Sequence, residues 1–380
     1  MGRSRLNILY LSAAYTTHDR RFLESFVGAG WRVTYLPLSD KRLDRRPLPA
    51  GVAIATWGDA SDSPVLSLAR RQRLGEVIAQ SAPDVVIAGP VQSAAALAAL
   101  AGAQPLITVS WGSDVLVDAD KTARDRFLTR FALGNSAGVF GDCLAVRHAV
   151  HRHSSIGDDR IVTFPWGIDL DSFSPGEPKI SVRRDLGWTD NEVAISTRSF
   201  EPVYAIDVLI RAFAAVYQQR PSARLLLIGS GSLDADIRGL IEELGIDTVV
   251  HAPGRIAYEL LPDYFRSADL YVSSALSDGT SISLVEAMAC GLPVVVSDSF
   301  GNLEWVRQGV NGALARPGDP ESLAAAMLPL LANRDVAGSM AKANIETARK
   351  RANWVANFPQ LVTLVETVAE GSGSTHVKER

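Results

Sequence analysis

Short runs of uninterrupted apolar residues recur along the chain, each followed by a stretch whose apolar positions repeat at helical spacing. In the first half the runs are Asn7–Ser12, Arg32–Leu36, Asp84–Ala88, Pro105–Ser110, Gly138–Gly141 and Arg160–Phe164. In the second half they are Val193–Thr197, Ala223–Ile228, Thr248–Ala252, Ala268–Val272, Pro293–Ser297 and Gly312–Ala315. Hydrophobicity that is continuous rather than alternating predicts strands buried on both faces, and therefore parallel sheets covered by helices. Strand–helix alternation predicts βαβ units. Two such series in 380 residues, too many for one ordinary core, predict two doubly wound α/β domains. The turn-rich run Ser-Phe-Ser-Pro-Gly-Glu-Pro (172–178) has no periodicity and places the break there, giving domains over 1–172 and 173–350. A last helical stretch near 354–369 carries Trp354, Phe358, Leu361, Leu364 and Val365 at helical spacing. The tail 371–380 has no apolar anchor and is expected to be disordered.

Composition narrows the class. Hydrophobic residues make up 47% and charged residues 21%, which is globular rather than disordered. With a net charge of −4, nothing suggests wholesale nucleic-acid binding. Local basic groups (Lys41, Arg42, Arg45 and Arg46; Arg70, Arg71 and Arg73) are either a solvated face or an approach to an anionic acceptor or membrane leaflet. Cys143 and Cys290 stand in different halves, which excludes a disulfide framework and a multi-cysteine zinc site. The apolar run 7–14 soon meets His18-Asp-Arg-Arg, so no signal or membrane-spanning segment is read there, and a cytoplasmic protein is expected. Peripheral membrane contact stays open. His148, His151 and His153 lack acidic partners at metal spacing, and no Asp-x-Asp motif is placed to serve this fold. The expectation is a metal-independent protein without a cofactor.

Ser274 to Val296 is the most informative segment, reading as strand end, loop, helix, glycine stop and a strand opened by Pro293. Ser283 and Glu286 have capping-box spacing, and Thr280 or Ser281 could equally cap the helix. Gly291 is placed to end it in a left-handed conformation. The N–H groups of Gly279, Thr280 and Ser281 would then open an anion site suited to a diphosphate. Asp278 and Glu286 flank it, and carboxylates suit hydroxyl pairs: one could hold a ribose diol and the other a sugar hydroxyl. Local sequence equally permits a capping partner and a plain loop residue.

The segment resembles the Glu-x7-Glu signature of the retaining glycosyltransferases of family 4, which share the run Glu-Ala-Met-Ala-x-Gly-x-Pro-Val. Four further pieces resemble that family in order: Pro165-Trp-Gly-Ile-Asp-Leu-Asp-Ser-Phe-Ser-Pro, Leu226-Leu-Ile-Gly-Ser-Gly, His251-Ala-Pro-Gly-Arg, and Gly301-Asn-Leu-Glu with Gly309-Val-Asn-Gly. The resemblance implies a GT-B fold, with two Rossmann-like domains facing a cleft. It implies an acceptor domain first, a donor domain second, and a C-terminal helix (351–370) crossing back to the first. It implies that Glu286 binds ribose hydroxyls, that Asp278 contacts the donor sugar, and that Gly279, Thr280 and Ser281 offer donors to sugar or phosphate. Arg198 would neutralise the pyrophosphate, a task suited to a permanently charged guanidinium, and Gly254 and Arg255 would meet the base.

Three departures stand out. Asp278 replaces the family's first Glu and reaches one methylene less. No Lys follows Arg198; Tyr204 falls near its place, with a hydroxyl to donate and no charge. Trp111 precedes Gly112-Ser-Asp114 where relatives carry His, and either faces a sugar or fills the core; Asp114 joins it as a candidate on the acceptor side. His18, after the first strand, is a further candidate. The expected activity is retaining transfer from a nucleoside diphosphate sugar, UDP by prior, to a saccharide, lipid-linked or small-molecule acceptor. A donor-binding partner subunit and a nucleotide-sugar epimerase are the alternatives. A Rossmann dehydrogenase is disfavoured because Leu11-Ser-Ala-Ala-Tyr has no glycine.

Overall fold

The computed structural model describes residues 5–44 and 46–375. They form two compact units, one of residues up to Phe164 together with Val355 onward, the other Pro165–Trp354.

The first unit holds a seven-stranded sheet of β1 (Asn7–Ser12), β2 (Arg32–Pro37), β3 (Val52–Ile54), β4 (Val85–Ala88), β5 (Leu106–Val109), β6 (Gly138–Gly141) and β7 (Ile161–Thr163). Their spatial order is β3-β2-β1-β4-β5-β6-β7, and every pairing is parallel. The second unit repeats the plan with β8 (Glu192–Ser196), β9 (Ala223–Ile228), β10 (Val250–Gly254), β11 (Leu270–Ser273), β12 (Val294–Ser297) and β13 (Ala313–Ala315), ordered β10-β9-β8-β11-β12-β13. In both sheets the order reverses beside the first strand, between β1 and β4 and between β8 and β11. Helices leave these strands in opposite directions and open a crevice at their carboxyl ends.

Burial explains the uninterrupted apolar runs. Along β8, Ala194 packs with Leu225, Leu227, Ile210, Phe213 and Met327 on one face of the sheet. Its neighbours Val193 and Ile195 pack with Leu226, Tyr271, Leu284 and Met288 on the other. With both faces covered, the central strands β4, β5, β11 and β12 are buried at every position. Strand β3 escapes the sequence pattern because it is a three-residue edge whose Ala53 and Ile54 are exposed.

Two expected boundaries are corrected. The first unit ends at Phe164, ahead of the turn-rich run, because Ile168 and Phe173 are buried in the second unit's core. The Ile168 amide also donates to the Ala352 carbonyl at 3.1 Å. The terminal helix, Pro359–Thr375, packs on β4, β6 and β7, where Leu364 Cδ1 lies 3.1 Å from the position a Cβ on Gly138 would take. That helix runs through Thr375 rather than ending at 370, because extending a docked helix fixes few dihedrals per added bond. Residues 376–380 lie outside the described residues.

Candidate functional site

The segments that follow β8 and β11 converge at the second unit's strand-order reversal. Ser274, just past β11, donates its hydroxyl to the carbonyls of Tyr204 (2.9 Å) and Ala205 (2.8 Å). This holds Ala205 in a left-handed conformation (φ 45°) that a non-glycine residue rarely adopts. The Leu276 amide adds a bond to the Val203 carbonyl at 2.8 Å. Two glycines permit the close approach. A Cβ on Gly229 would lie 2.2 Å from the Arg198 carbonyl, and one on Gly301 would lie 2.1 Å from the Gly279 carbonyl.

Arg198 is the centre of the site and is buried. Its Nη2 donates to Asp278 Oδ2 at 2.6 Å, and its Nη1 to Ser281 Oγ at 2.7 Å and Ser283 Oγ at 3.2 Å. The Tyr204 ring covers it, with the guanidinium carbon 4.0 Å from the ring centroid. Ser283 is fixed in turn by the Tyr271 hydroxyl at 2.8 Å. Burial alone would lower the affinity of Arg198 for its proton, but Asp278, Tyr204 and Tyr271 together outweigh it and hold the guanidinium above its ordinary value. Burial pushes the Asp278 carboxyl up, while Arg198, Ser281 and the Gly279 amide pull the other way. The site is therefore a preorganised cation at a sheet's carboxyl edge, covered on one side by a neutral aromatic ring.

The helix beginning at this loop is Ile282–Ala289, capped at Ser281. Gly291 follows it in the left-handed region (φ 83°). The expected capping box of Ser283 with Glu286 does not form, because Ser283 lies inside the helix and Ser281 turns its hydroxyl to Arg198. Glu286 is buried one turn in, where Oε1 accepts from the Tyr258 hydroxyl at 3.0 Å. Gly279, Thr280 and Ser281 are all buried around the helix start, where the first amides of a helix have no partner within it.

Gly254 closes β10 with φ 86°, and its carbonyl accepts from the Gly229 amide at 3.1 Å, tying this loop to the one behind Arg198. Arg255, the next residue, is exposed. Ser283, Tyr271 and Tyr258 complete the site; sequence reading gave Ser283 only a capping role and passed over the two tyrosines. Tyr258 stands 28 residues from Glu286 and Ser283 stands 85 from Arg198, and no local pattern links such pairs.

The first-unit candidates form a separate cluster at the carboxyl ends of β1, β4 and β5. His18, expected in the loop after the first strand, lies in the first turn of the helix Thr17–Gly28, where Thr16 and Asp19 form a capping box. Its ring lies 5.8 Å from that of Trp111. Burial, helped by the charge of Arg21, pulls the His18 pKa down to about 3, so the ring is neutral. Asp114 is committed to its own loop, accepting from Ser110 Oγ (2.7 Å) and the amides of Val91, Trp111 and Val115 (3.0–3.1 Å). It positions Trp111 rather than facing outward.

The basic groups divide. Arg70 is buried, donates to the Leu38 carbonyl at 2.7 Å and lies over Trp57; Arg46 pairs with Asp44; Arg42 lies over Tyr15. Arg45 lies outside the described residues. His151 pairs with Asp158 at 3.0 Å. Among the described residues no group of three or more His, Cys, Asp or Glu could hold a metal ion, and no helix is long and apolar enough to cross a membrane.

The family model described as Glycosyl transferases group 1 matches residues 179–351, and that described as Glycosyl transferase 4-like matches residues 7–141. A D-inositol 3-phosphate glycosyltransferase of Thermobispora bispora is 32% identical over 56% of this chain and 51% of its own length. A GDP-mannose-dependent alpha-(1-6)-phosphatidylinositol monomannoside mannosyltransferase of Mycolicibacterium smegmatis is 26% identical over 73% of this chain and 74% of its own. The chain thus spans about half the length of the first of these relatives. In structure it is similar to HepE of Anabaena, solved with UDP-glucose, at a TM-score of 0.79 and 22% identity over 97% of this chain and all of that one. It is similar also to sucrose-phosphate synthase of Thermosynechococcus elongatus, at a TM-score of 0.77 and 20% identity over 98% and 99%. These likenesses establish the GT-B fold. With both halves matched in order on that fold, the chain belongs to the group 1 glycosyltransferases of family 4.

Proposed function

We propose that this protein transfers a glycosyl group from a nucleoside diphosphate sugar to an acceptor hydroxyl, with retention at the anomeric carbon. One observation carries the reading: a buried, permanently charged Arg198 stands beside the amino end of the helix Ile282–Ala289, with Asp278 before that helix and Glu286 inside it. Cation and helix amides suit a pyrophosphate, and the two carboxylates suit hydroxyls on either side of it.

In the reaction the bond from the anomeric carbon to the phosphate oxygen breaks, and charge builds on the departing diphosphate. Arg198 answers that charge by exchanging Asp278 for phosphate oxygens. Asp278 is then released to accept from a donor-sugar hydroxyl, and Glu286 holds the ribose diol. The acceptor oxygen attacks from the face that the leaving group vacates and passes its proton to a phosphate oxygen, so no protein nucleophile is needed. UDP is the donor nucleotide to test first, in keeping with the UDP-glucose that HepE binds. A saccharide, lipid-linked polyol or small-molecule hydroxyl is the acceptor class.

Tyr204 favours a second reading. It sits near the position where relatives carry a second cation and supplies only a ring, which is compatible with a donor-binding subunit of low turnover. Thermal stabilisation by UDP-, GDP- and dTDP-sugars, followed by nucleoside diphosphate release with a panel of acceptors, separates the two. Release that requires an acceptor supports transfer; stabilisation without release supports the binding subunit; neither effect refutes both. Epimer formation from donor alone would identify an epimerase.

A further inference from the structure

We propose that Tyr258 is a positioning residue for Glu286 and sets how strictly the site demands a ribose diol. This rests on the reading of Glu286 as the diol acceptor. Glu286 lies inside a helix with 3% of its surface exposed, so its carboxylate direction is decided by what surrounds it. The Tyr258 hydroxyl donates to Oε1 at 3.0 Å and takes one lone-pair direction of that oxygen. The phenol is itself held in place. Its ring lies 5.4 Å from Phe173, which is 1% exposed and meets Phe265 at 6.1 Å. Tyr258 begins the short turn Tyr258–Leu260, four residues after Gly254. One hydrogen bond therefore joins the loop beyond β10, on the side proposed for the base, to the carboxylate proposed for the ribose.

A carboxylate on a flexible side chain meets a diol well only when its plane is held, because terminal torsions of this kind have broad, shallow minima. Anchored by Tyr258, Glu286 offers its oxygens in one orientation, and a nucleotide lacking a ribose hydroxyl leaves that orientation unanswered. Without this bond the carboxylate is held less firmly in that orientation, and discrimination falls.

The test uses the full chain and isothermal titration with UDP, 2′-deoxy-UDP and 3′-deoxy-UDP. Tyr258→Phe keeps the ring against Phe173 and removes only the hydroxyl, and its melting temperature serves as the folding control. UDP should bind about tenfold more weakly to this variant, the size expected for losing one hydrogen bond to a charged group. The deoxy analogues should weaken less than threefold, so the preference for UDP shrinks. In a Glu286→Ala background the same substitution should change UDP affinity less than twofold, because the group through which it acts is gone. An equal loss for all three nucleotides, or an equal factor in both backgrounds, would overturn the role of Tyr258 while leaving the donor reading standing. No UDP binding by the unmutated chain would overturn both.

Discussion

Replacing Asp278 by Asn tests whether the carboxylate and a donor pyrophosphate compete for the same guanidinium. The two side chains are 9% and 17% exposed and meet at 2.6 Å, so Arg198 depends on Asp278 for its charge balance. Removing one partner of a buried pair outright costs about 3–5 kcal/mol. Asn retains a carbonyl oxygen for Nη2, so the loss should resemble that of one hydrogen bond to a charged group plus part of the unmatched charge, about 1–3 kcal/mol. For a unit of this size each kcal/mol moves the melting temperature by roughly 2–4 °C, which predicts a fall of roughly 2–12 °C without ligand. UDP returns the missing negative charge, and at 100 times Kd it restores about 2.7 kcal/mol. The variant should therefore be weaker alone, yet show a larger UDP-induced rise than the unmutated chain, with UDP affinity several-fold tighter. Turnover of a UDP-sugar should fall all the same, because Asn cannot accept from the sugar hydroxyl with a full charge. Differential scanning fluorimetry and UDP titration read the first two effects, and a coupled UDP-release assay the third. Unchanged stability combined with weaker UDP binding would refute the reasoning, since Asp278 could not then be competing with phosphate.

Three further outcomes follow from the geometry. Glu286→Ala should weaken UDP about ten- to a hundredfold through loss of hydrogen bonds to a charged acceptor, and titration that finds no change would remove it from the ribose site. Gly301→Ala places a methyl carbon 2.1 Å from the Gly279 carbonyl and 2.5 Å from that of Asp278. Both are backbone atoms, so the loop must shift; UDP affinity should drop at least about tenfold, and unaltered affinity would show the loop uninvolved. His18 has a folded pKa near 3, below the ordinary 6.5, so its stabilising effect is complete above about pH 6.5 and is lost as pH falls toward 3. Urea unfolding at pH 7.5 and 4.5 should therefore show the unmutated chain losing roughly 2–3 kcal/mol more than His18→Phe. Equal losses would mean that His18 protonates freely in the folded state.

Much of this protein is legible in the chain because its strands are buried on both faces. A strand that may show no polar residue on either side must appear as a short apolar run, and twelve of the thirteen strands do so. The exception, Val52–Ile54, is an exposed edge with too little to bury. The glycine stop of the helix Ile282–Ala289 was legible for a local reason: left-handed termination depends on residues a few positions apart. Arg198 as a phosphate-facing cation came from resemblance; the fold by itself places the residue beyond β8, at the strand-order reversal.

Tertiary structure alone decided what each polar group does with its bonds. Ser281 could cap a helix or serve an arginine, and Ser283 could open a helix or sit within it; sequence permits each choice. Packing of β8 against β11 brings Arg198 within reach of both hydroxyls and Asp278, and a charged donor without water recruits the acceptors it can reach. Asp114 is drawn inward in the same way, by the amides of Val91, Trp111 and Val115. Phe173 lies in a turn-rich stretch that reads as a linker, yet it is buried, because an aromatic pocket formed by Tyr258 and Phe265 removes more apolar surface from water than a free linker would. Strands follow from a pattern along the chain; hydrogen-bond partners follow from distances across it, and those exist only once the sheet has formed.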